Sequence, residues 1–261
     1  MREDVRNIKP QRGTKLDKQR RRQMKWIKQL FSQEPANSTE LPAEVAKYFS
    51  GELPSKKSSI ESLRFVVIDT ETTGLNPAKG DRVLSIGAVV IKDLRVDLSQ
   101  TFFERIYSET ASPPETIAVH LITPEESRHA PKITDVLPMF LDFIGLDVLI
   151  AHHARFDLAF LNAELQRCYG RALRNYCLDT IDLAHALAST NQSFEYLGLN
   201  PRQMEEYELD KLAASLNVPI ESRHDALNDA ITTAQVAAVL LKRLTKVGGH
   251  TLQDLLYLSR I

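Results

Sequence analysis

Two carboxylates at the end of an apolar run are the first residues whose types and spacing could do chemistry. Residues 65–68 are apolar, and Asp69 and Glu71 follow them directly, ahead of a Thr-Thr-Gly stretch. An unbroken apolar run of this length is typical of a strand that is covered on both faces. Because side chains two apart on a strand point the same way, Asp69 and Glu71 are predicted to project together.

Such a pair favours a divalent cation, because two neighbouring carboxylates repel each other unless a cation lies between them or one of them stays protonated. Carboxylate oxygens are hard ligands that suit Mg²⁺ and Mn²⁺. An equally simple interpretation is a strand end with two solvated acids before a turn, since a motif this short also matches by chance.

Two further acidic positions have an informative context. Asp157 follows Phe156 near the start of a predicted helix, where the helix dipole would also stabilise an acid with a purely structural role. Asp229 lies about one turn inside a long predicted helix, among small residues and five positions after His224. Asp225 is predicted to cap that helix.

Other acids are interpreted as structural. Asp179 and Asp182 are three residues apart and have the spacing of a helix N-cap followed by a first-turn acid. His185 follows Asp182 by three residues, and although the two could form a metal pair, we interpret His185 as a surface residue of that helix.

The predicted elements around these residues indicate an α/β fold. Strands are expected at residues 64–69, 83–91, 94–106, 147–151 and 176–178. The first three are joined by short connections, which indicates an antiparallel meander, and the last two are each followed by a helix, which indicates parallel pairing. Helices are expected at residues 133–144, 154–168, 180–188, 209–216, 225–244 and 251–258. Catalytic side chains in such sheets lie at the carboxyl ends of strands, where Asp69 and Glu71 are expected.

The charge of the chain is unevenly distributed. Residues 1–30 carry 11 Lys and Arg against 3 Asp and Glu, although the net charge of the whole chain is only −1. A basic amphipathic helix is predicted at residues 16–31, which could bind nucleic acid, an anionic membrane surface or a partner protein, or pack on its own domain. We therefore divide the chain into a basic, partly helical extension at residues 1–59 and a second domain at residues 60–261.

Cysteine content and hydropathy exclude several classes of protein. Cys168 and Cys177 form no CxxC pair, which argues against a disulfide framework or a zinc site and is compatible with a reducing compartment such as the cytoplasm. Neither terminus has an apolar stretch long enough to cross a bilayer, and the N-terminus shows no secretory signal. We therefore expect a cytoplasmic protein without a membrane partner.

Three motifs in order resemble one enzyme family, the DnaQ-like DEDDh exonucleases, over residues 61–247. They are DxE followed by Thr-Thr-Gly, then HxAxFD, then HxAxxDA. The resemblance implies a ribonuclease H-like mixed five-stranded sheet flanked by helices. It also implies hydrolysis of the terminal phosphodiester at a 3′ end, with release of a nucleoside 5′-monophosphate. The general base would be His224, and two Mg²⁺ or Mn²⁺ ions would be held by Asp69, Glu71, Asp157 and Asp229.

Two positions depart from the pattern of that family. His153 stands where the family usually has Asn, and we expect a packing or hydrogen-bonding role for it rather than metal binding. Leu121 replaces the glycine of the His-Gly-Ile-Thr stretch, although His120 still matches the histidine that lies beside the terminal nucleotide. By the same resemblance, Thr72 and Leu75 would line the sugar and base of that nucleotide.

Three functions share these motifs. The first is a 3′–5′ exonuclease that acts on single-stranded or frayed DNA 3′ ends in proofreading or repair. The second is an exoribonuclease that resembles RNase T or oligoribonuclease. The third is a polymerase accessory subunit whose basic arm docks on a DNA polymerase subunit.

Overall fold

The computed structural model describes residues 41–110, 112–189, 208–220 and 225–259. The predicted basic helix at residues 16–31 and His224 lie outside these ranges. The described helices are α1 (Ala43–Ser50), α2 (Pro114–His120), α3 (Pro124–Arg128), α4 (Ile133–Ile144), α5 (Ala154–Tyr169), α6 (Thr180–Ser189), α7 (Leu209–Ser215), α8 (Ala226–Thr245) and α9 (Leu252–Leu258). The described strands are β1 (Phe65–Thr72), β2 (Val83–Lys92), β3 (Arg95–Arg105), β4 (Val148–Ala151) and β5 (Cys177–Asp179). None of these helices has both the length and the apolar character needed to cross a bilayer.

The five strands form one mixed sheet in the order β3-β2-β1-β4-β5. β1, β2 and β3 pair antiparallel, whereas β4 pairs parallel with β1 and β5 pairs parallel with β4. β2 and β3 are joined at Asp93 and Leu94, which both have left-handed backbone angles, with φ of 51° and 56°. Two such residues match the right-handed twist of the flanking strands. The predicted mixed sheet with an antiparallel flank is confirmed.

β1 lies at the centre of the sheet, with helices on both of its faces. Phe65 and Val67 pack in a cluster with α6, α7, α8 and α9, whereas Val66 and Ile68 pack in a second cluster with α1, α4 and α5. All four side chains are fully buried. The alternation of contacts follows from the two-residue period of a strand, and it explains why the apolar run is unbroken.

The first strand is longer than the sequence predicts, which is the largest correction to the predicted bounds. It continues past Asp69 to Thr72, because the antiparallel pairing with β2 extends to Ser85 and, after a register shift at Glu71, to Val83. Asp69 and Glu71 therefore lie within a paired strand and not in the turn that follows it. Within the described residues, the other predicted strands and helices agree with the structure to within one residue at each end.

The described part of the extension packs on the rest of the protein. The Tyr48 side chain in α1 is buried, and its hydroxyl donates a hydrogen bond of 2.5 Å to Oδ1 of Asn175. The same hydroxyl accepts the backbone N–H of Arg174 at 2.8 Å, and the Arg174 guanidinium donates to the carbonyls of Phe49 and Gly51. The described end of the extension is therefore held against the rest of the protein by buried contacts of Tyr48.

Candidate active site

Three of the predicted acids meet on one face of β1. Asp69, Glu71 and Asp229 each offer a carboxylate oxygen, and these oxygens lie within 4.8 Å of one another. Asp69 and Glu71 are half-buried, and Asp229 is 5% exposed. Three carboxylates this close repel one another strongly unless a cation neutralises them. The oxygen donors and their spacing fit a hard divalent cation such as Mg²⁺ or Mn²⁺.

A glycine on β2 lets Asp229 reach the cluster. Gly87 pairs with Asp69 in the β1–β2 ladder, and a Cβ atom on Gly87 would lie 2.2 Å from the carbonyl carbon and oxygen of Ala226. The N-terminus of α8 therefore lies directly on the sheet at this point. The carboxylate of Asp225 caps this terminus by accepting two backbone N–H groups at 3.1 Å, as the sequence predicts.

Asp157 is not a member of this three-carboxylate cluster, and its hydrogen-bond partner on β1 is Thr70. The side chain of Asp157 is 3% exposed, and its Oδ1 accepts a hydrogen bond of 2.8 Å from the Thr70 hydroxyl. Thr70 lies between Asp69 and Glu71 on β1, so its side chain points to the opposite face of the strand. Burial raises the pKa of Asp157 well above its usual value; the bond from Thr70 partly offsets this rise, and the neighbouring Asp179 adds to it.

The loop after β1 exposes one apolar side chain, and hydrogen bonds hold the two ends of the loop. Leu75 is 83% exposed, whereas the hydroxyl of Thr72 is turned inward and donates a hydrogen bond of 2.6 Å to the carbonyl of Gly74. At the far end of the loop, the guanidinium of Arg82 donates two hydrogen bonds of 2.9 and 3.0 Å to Glu164. Glu164 is 1% exposed, and such a buried bidentate pair anchors the loop to α5.

Comparison with known proteins identifies the fold and the family. Residues 66–237, more than half of the chain, match the family model described as "Exonuclease". The chain belongs to this exonuclease family. The predicted resemblance to DnaQ-like exonucleases is thereby confirmed, and the protein is a nuclease.

Relatives of this exonuclease include subunits of bacterial replicative polymerases. The DNA polymerase III subunit epsilon of Treponema pallidum is 32% identical over 190 residues, which are 73% of this chain and 82% of that subunit. A DNA polymerase III subunit epsilon-like protein of Rhodobacter capsulatus is 34% identical over 201 residues. That match covers 77% of this chain but 27% of the Rhodobacter protein, so most of the latter has no counterpart here.

Solved structures share the fold of this exonuclease. Exonuclease X in complex with 5′ overhanging duplex DNA has a TM-score of 0.54 and 22% identity, covering 74% of this chain and 98% of that one. The nuclease domain of 3′hExo, a DEDDh family member bound to rAMP, has a TM-score of 0.56 and 16% identity, covering 71% and 94%. The predicted ribonuclease H-like architecture is therefore confirmed.

Leu121, at the position of the motif's glycine, has a left-handed backbone in the exonuclease. Leu121 has φ of 57° and ψ of 9°, which is the left-handed region that glycine adopts without cost. A leucine there is strained by roughly 1–2 kcal/mol. Its side chain is 70% exposed. This chain therefore holds a strained leucine at the position where the motif has glycine.

His120, the residue before this turn, is buried in the exonuclease. Its side chain is 4% exposed, and its Nδ1 accepts the backbone N–H of Ile122 at 2.9 Å. The Nε2 atom finds no hydrogen-bond partner among the described residues. Burial lowers the pKa of His120, so the neutral form is favoured.

His153 adopts a backbone conformation that both the family's Asn and a histidine accept. It has φ of 60° and ψ of 42°, in the left-handed region where Asn, Asp and His are enriched several-fold among residues other than glycine. The imidazole packs edge-on against His152, with ring centroids 4.9 Å apart. The general base predicted at His224 lies outside the described residues, and its role stays a prediction.

Proposed function

We propose that this exonuclease removes nucleotides from the 3′ end of DNA by metal-dependent hydrolysis and releases nucleoside 5′-monophosphates. The convergence of Asp69, Glu71 and Asp229 within 4.8 Å is the observation that supports it most directly. We further propose that this trio and Asp157 hold two Mg²⁺ or Mn²⁺ ions. When bound, such ions lower the pKa of a bound water and offset the charge of the phosphodiester.

The residues of the chain itself have separate tasks in this proposal. The carboxylates fix the place of the cations, and without cations they repel the anionic substrate. His224 takes the proton of the attacking water on an imidazole nitrogen, since its ordinary pKa lies near neutrality. Leu75 is exposed and apolar, and we propose that it packs against the terminal base, with Thr72 and His120 lining the same nucleotide.

DNA is the proposed substrate because of the relatives. The Treponema pallidum protein is named as a subunit of DNA polymerase III, and this chain spans 82% of it. We therefore propose a cytoplasmic role in proofreading or repair of DNA, on single-stranded or frayed 3′ ends. The catalytic motifs are the same in exoribonucleases, so the sugar preference has to be measured.

We expect the full-length chain to shorten 5′-labelled DNA from its 3′ end in the presence of Mg²⁺ or Mn²⁺. EDTA should abolish turnover, and added metal should restore it, because the carboxylates alone offer no positive charge to the phosphodiester. The measurement compares DNA and RNA of one sequence, single-stranded and duplex with a frayed end, with products sized by chromatography. An oligonucleotide whose last nucleotide is joined 3′ to 3′ is the control.

Each alternative result has a definite meaning in this assay. Full activity in EDTA would contradict the metal mechanism. Faster degradation of RNA than of DNA would assign the protein to the exoribonucleases. Shortening of the 3′–3′ joined control would show that a free 3′ end is not required.

We also propose that the basic segment at residues 1–40 binds a polyanion or a partner, and that the chain divides near residue 60. The polyanion would be DNA, and the partner a DNA polymerase subunit. The 11 Lys and Arg among residues 1–30 support DNA binding by this segment. The likeness of the chain to polymerase subunits supports docking on a DNA polymerase subunit. The packing of Tyr48 shows where a deletion should stop, because a cut at residue 59 removes buried contacts as well.

Deletion of residues 1–40 is expected to leave kcat unchanged and, if the segment contacts phosphates, to raise KM for DNA. In that case the dependence of KM on salt should become shallower as well. If it docks a polymerase subunit, only binding to that subunit should be lost. Deletion of residues 1–59 is the matched comparison and should also lower the free energy of unfolding, by about 3 kcal/mol or more, because the buried Tyr48 is lost. Unchanged DNA affinity and partner binding after the shorter deletion would contradict the proposal.

A further inference from the structure

Asp179 binds the starts of two helices with one carboxylate. It is the last residue of β5, and its side chain is 8% exposed. Oδ1 accepts the backbone N–H of Ile181 in the first turn of α6 at 2.9 Å, as expected of the cap predicted from the sequence. Oδ2 accepts the backbone N–H of Ala154, the first residue of α5, at 3.0 Å. The sequence spacing does not predict this second bond, because the two residues are far apart in the chain.

The N-terminus of α5 depends on this second bond because it has no cap of its own. His153 occupies the N-cap position, where its left-handed backbone accompanies a side chain that makes no cap hydrogen bond. The first N–H groups of a helix need acceptors from outside the helix. Asp179 supplies one of them, and the parallel pairing of Ala151 with Asp179 brings it to that place.

The backbone of Asp179 makes a third hydrogen bond. Its backbone N–H donates a hydrogen bond of 2.9 Å to the hydroxyl of Ser259, which follows α9 and is buried. The carboxylate thus has a fixed position relative to the sheet. The start of α5 is fixed with it, since a hydrogen bond of this length allows little displacement.

Asp157 lies in the first turn of α5, three residues after Ala154. The Thr70 hydroxyl on β1 donates a hydrogen bond to the Asp157 carboxyl. We propose that Asp179 is a positioning residue, which sets the start of α5 and thereby the position from which the Asp157 carboxyl would bind a metal ion. The inference rests on the proposed function, in that it takes Asp157 to be a metal ligand.

The chemistry of the two bonds explains why an aspartate serves here. Both oxygens of Asp179 accept N–H groups, on different helices. Asparagine has nearly the same shape but presents an NH₂ group in place of one oxygen, so it would place a donor against a donor.

The test measures Mn²⁺ binding by calorimetry on the full-length chain without substrate. We expect Asp179→Asn to weaken binding at one Mn²⁺ site by about 10-fold to 100-fold, the range seen when groups that orient metal ligands are removed. Asp135→Asn is the matched control, since it removes the same charge from an exposed acid in the first turn of α4. It should leave Mn²⁺ affinity within about twofold, as expected of surface substitutions.

A double-mutant cycle separates positioning from a general structural role. If Asp179 acts through Asp157, Asp179→Asn should cause no further loss of Mn²⁺ affinity in an Asp157→Asn background. Additive losses, or unchanged Mn²⁺ affinity in Asp179→Asn alone, would overturn the inference. If Asp157→Asn itself leaves Mn²⁺ binding unchanged, the ligand set of the proposed function has failed instead.

Two further measurements guard against misfolding. Far-UV circular dichroism and thermal unfolding establish that each variant is folded, and Asp179→Ser replaces Asp179→Asn if the latter is not, since serine keeps one acceptor for a helix start. In the nuclease assay, high Mn²⁺ should restore the kcat of the folded Asp179 variant. Failure of that rescue in a variant with weakened Mn²⁺ binding would contradict a role through the metal site.

Discussion

Asp69→Asn is expected to lower kcat by about 10²-fold to 10³-fold, as the loss of one preorganised electrostatic contact does in other enzymes. Asp69 lies at the centre of the sheet and shares with Glu71 and Asp229 a group of carboxylate oxygens within 4.8 Å. Asparagine keeps the size of the side chain but removes the charge, so cation binding weakens while the packing of β1 is retained. The measurement is single-turnover cleavage of a 5′-labelled oligonucleotide with saturating Mg²⁺.

Thermal unfolding gives an independent readout of the same variant. Without metal, the variant should be as stable as the wild type or more stable, because one of three mutually repelling charges is gone. With Mn²⁺, the unfolding temperature of the wild type should rise by mass action, and that of the variant should rise less. Asp142→Asn is the control, since Asp142 is an exposed acid that pairs with Lys47. Wild-type cleavage by Asp69→Asn would contradict the proposed site.

Gly87→Ala is expected to reduce kcat by about 10²-fold, as misplacement of a catalytic group by roughly 1 Å can do. The added Cβ would lie 2.2 Å from the carbonyl carbon and oxygen of Ala226 and 2.4 Å from the backbone nitrogen of Leu227. Backbone atoms cannot turn aside as a flexible side chain can, so the start of α8 has to move away from the sheet. Asp229 lies on the first turn of α8 and moves with it.

The same substitution should lower the free energy of unfolding by about 1–3 kcal/mol through overpacking. Gly170→Ala is the matched control, because Gly170 ends α5 far along the helix from Asp157 and has φ of 64°, where alanine costs roughly 1–2 kcal/mol. The control should lose stability without losing activity. Equal activities of the two variants would show that the close approach at Gly87 does not position Asp229.

Local patterns in the sequence are sufficient for the strand and for the caps. The apolar run at residues 65–68 predicts a central strand, since only a strand covered on both faces is apolar at every position. The side-chain period of a strand then places Asp69 and Glu71 on one face. Asp225 and Asp179 can be recognised as caps from the sequence, because each accepts an N–H group from a residue two positions ahead.

The departures from the family motif are readable in the sequence, but their consequences are not. Leu121 stands in place of the motif's glycine, and only the structure shows that it has a left-handed backbone. Whether a residue accepts such strain depends on the contacts around it, which override its intrinsic preference. His153 is a similar case. Its backbone is left-handed, and Asp179 rather than the His153 side chain caps the helix that follows.

The residues that the sequence does not reveal act across long separations. Gly87 permits α8 to touch the sheet, Thr70 holds Asp157, Asp179 binds the start of α5, and Glu164 anchors Arg82. None of them has a short-range pattern that identifies its partner. Local periodicity thus determined the strands, the helices and the acids that could bind a cation. Only the tertiary structure decided which acids come together, because the position of α8 and α5 on the sheet is set by contacts between residues distant in the chain.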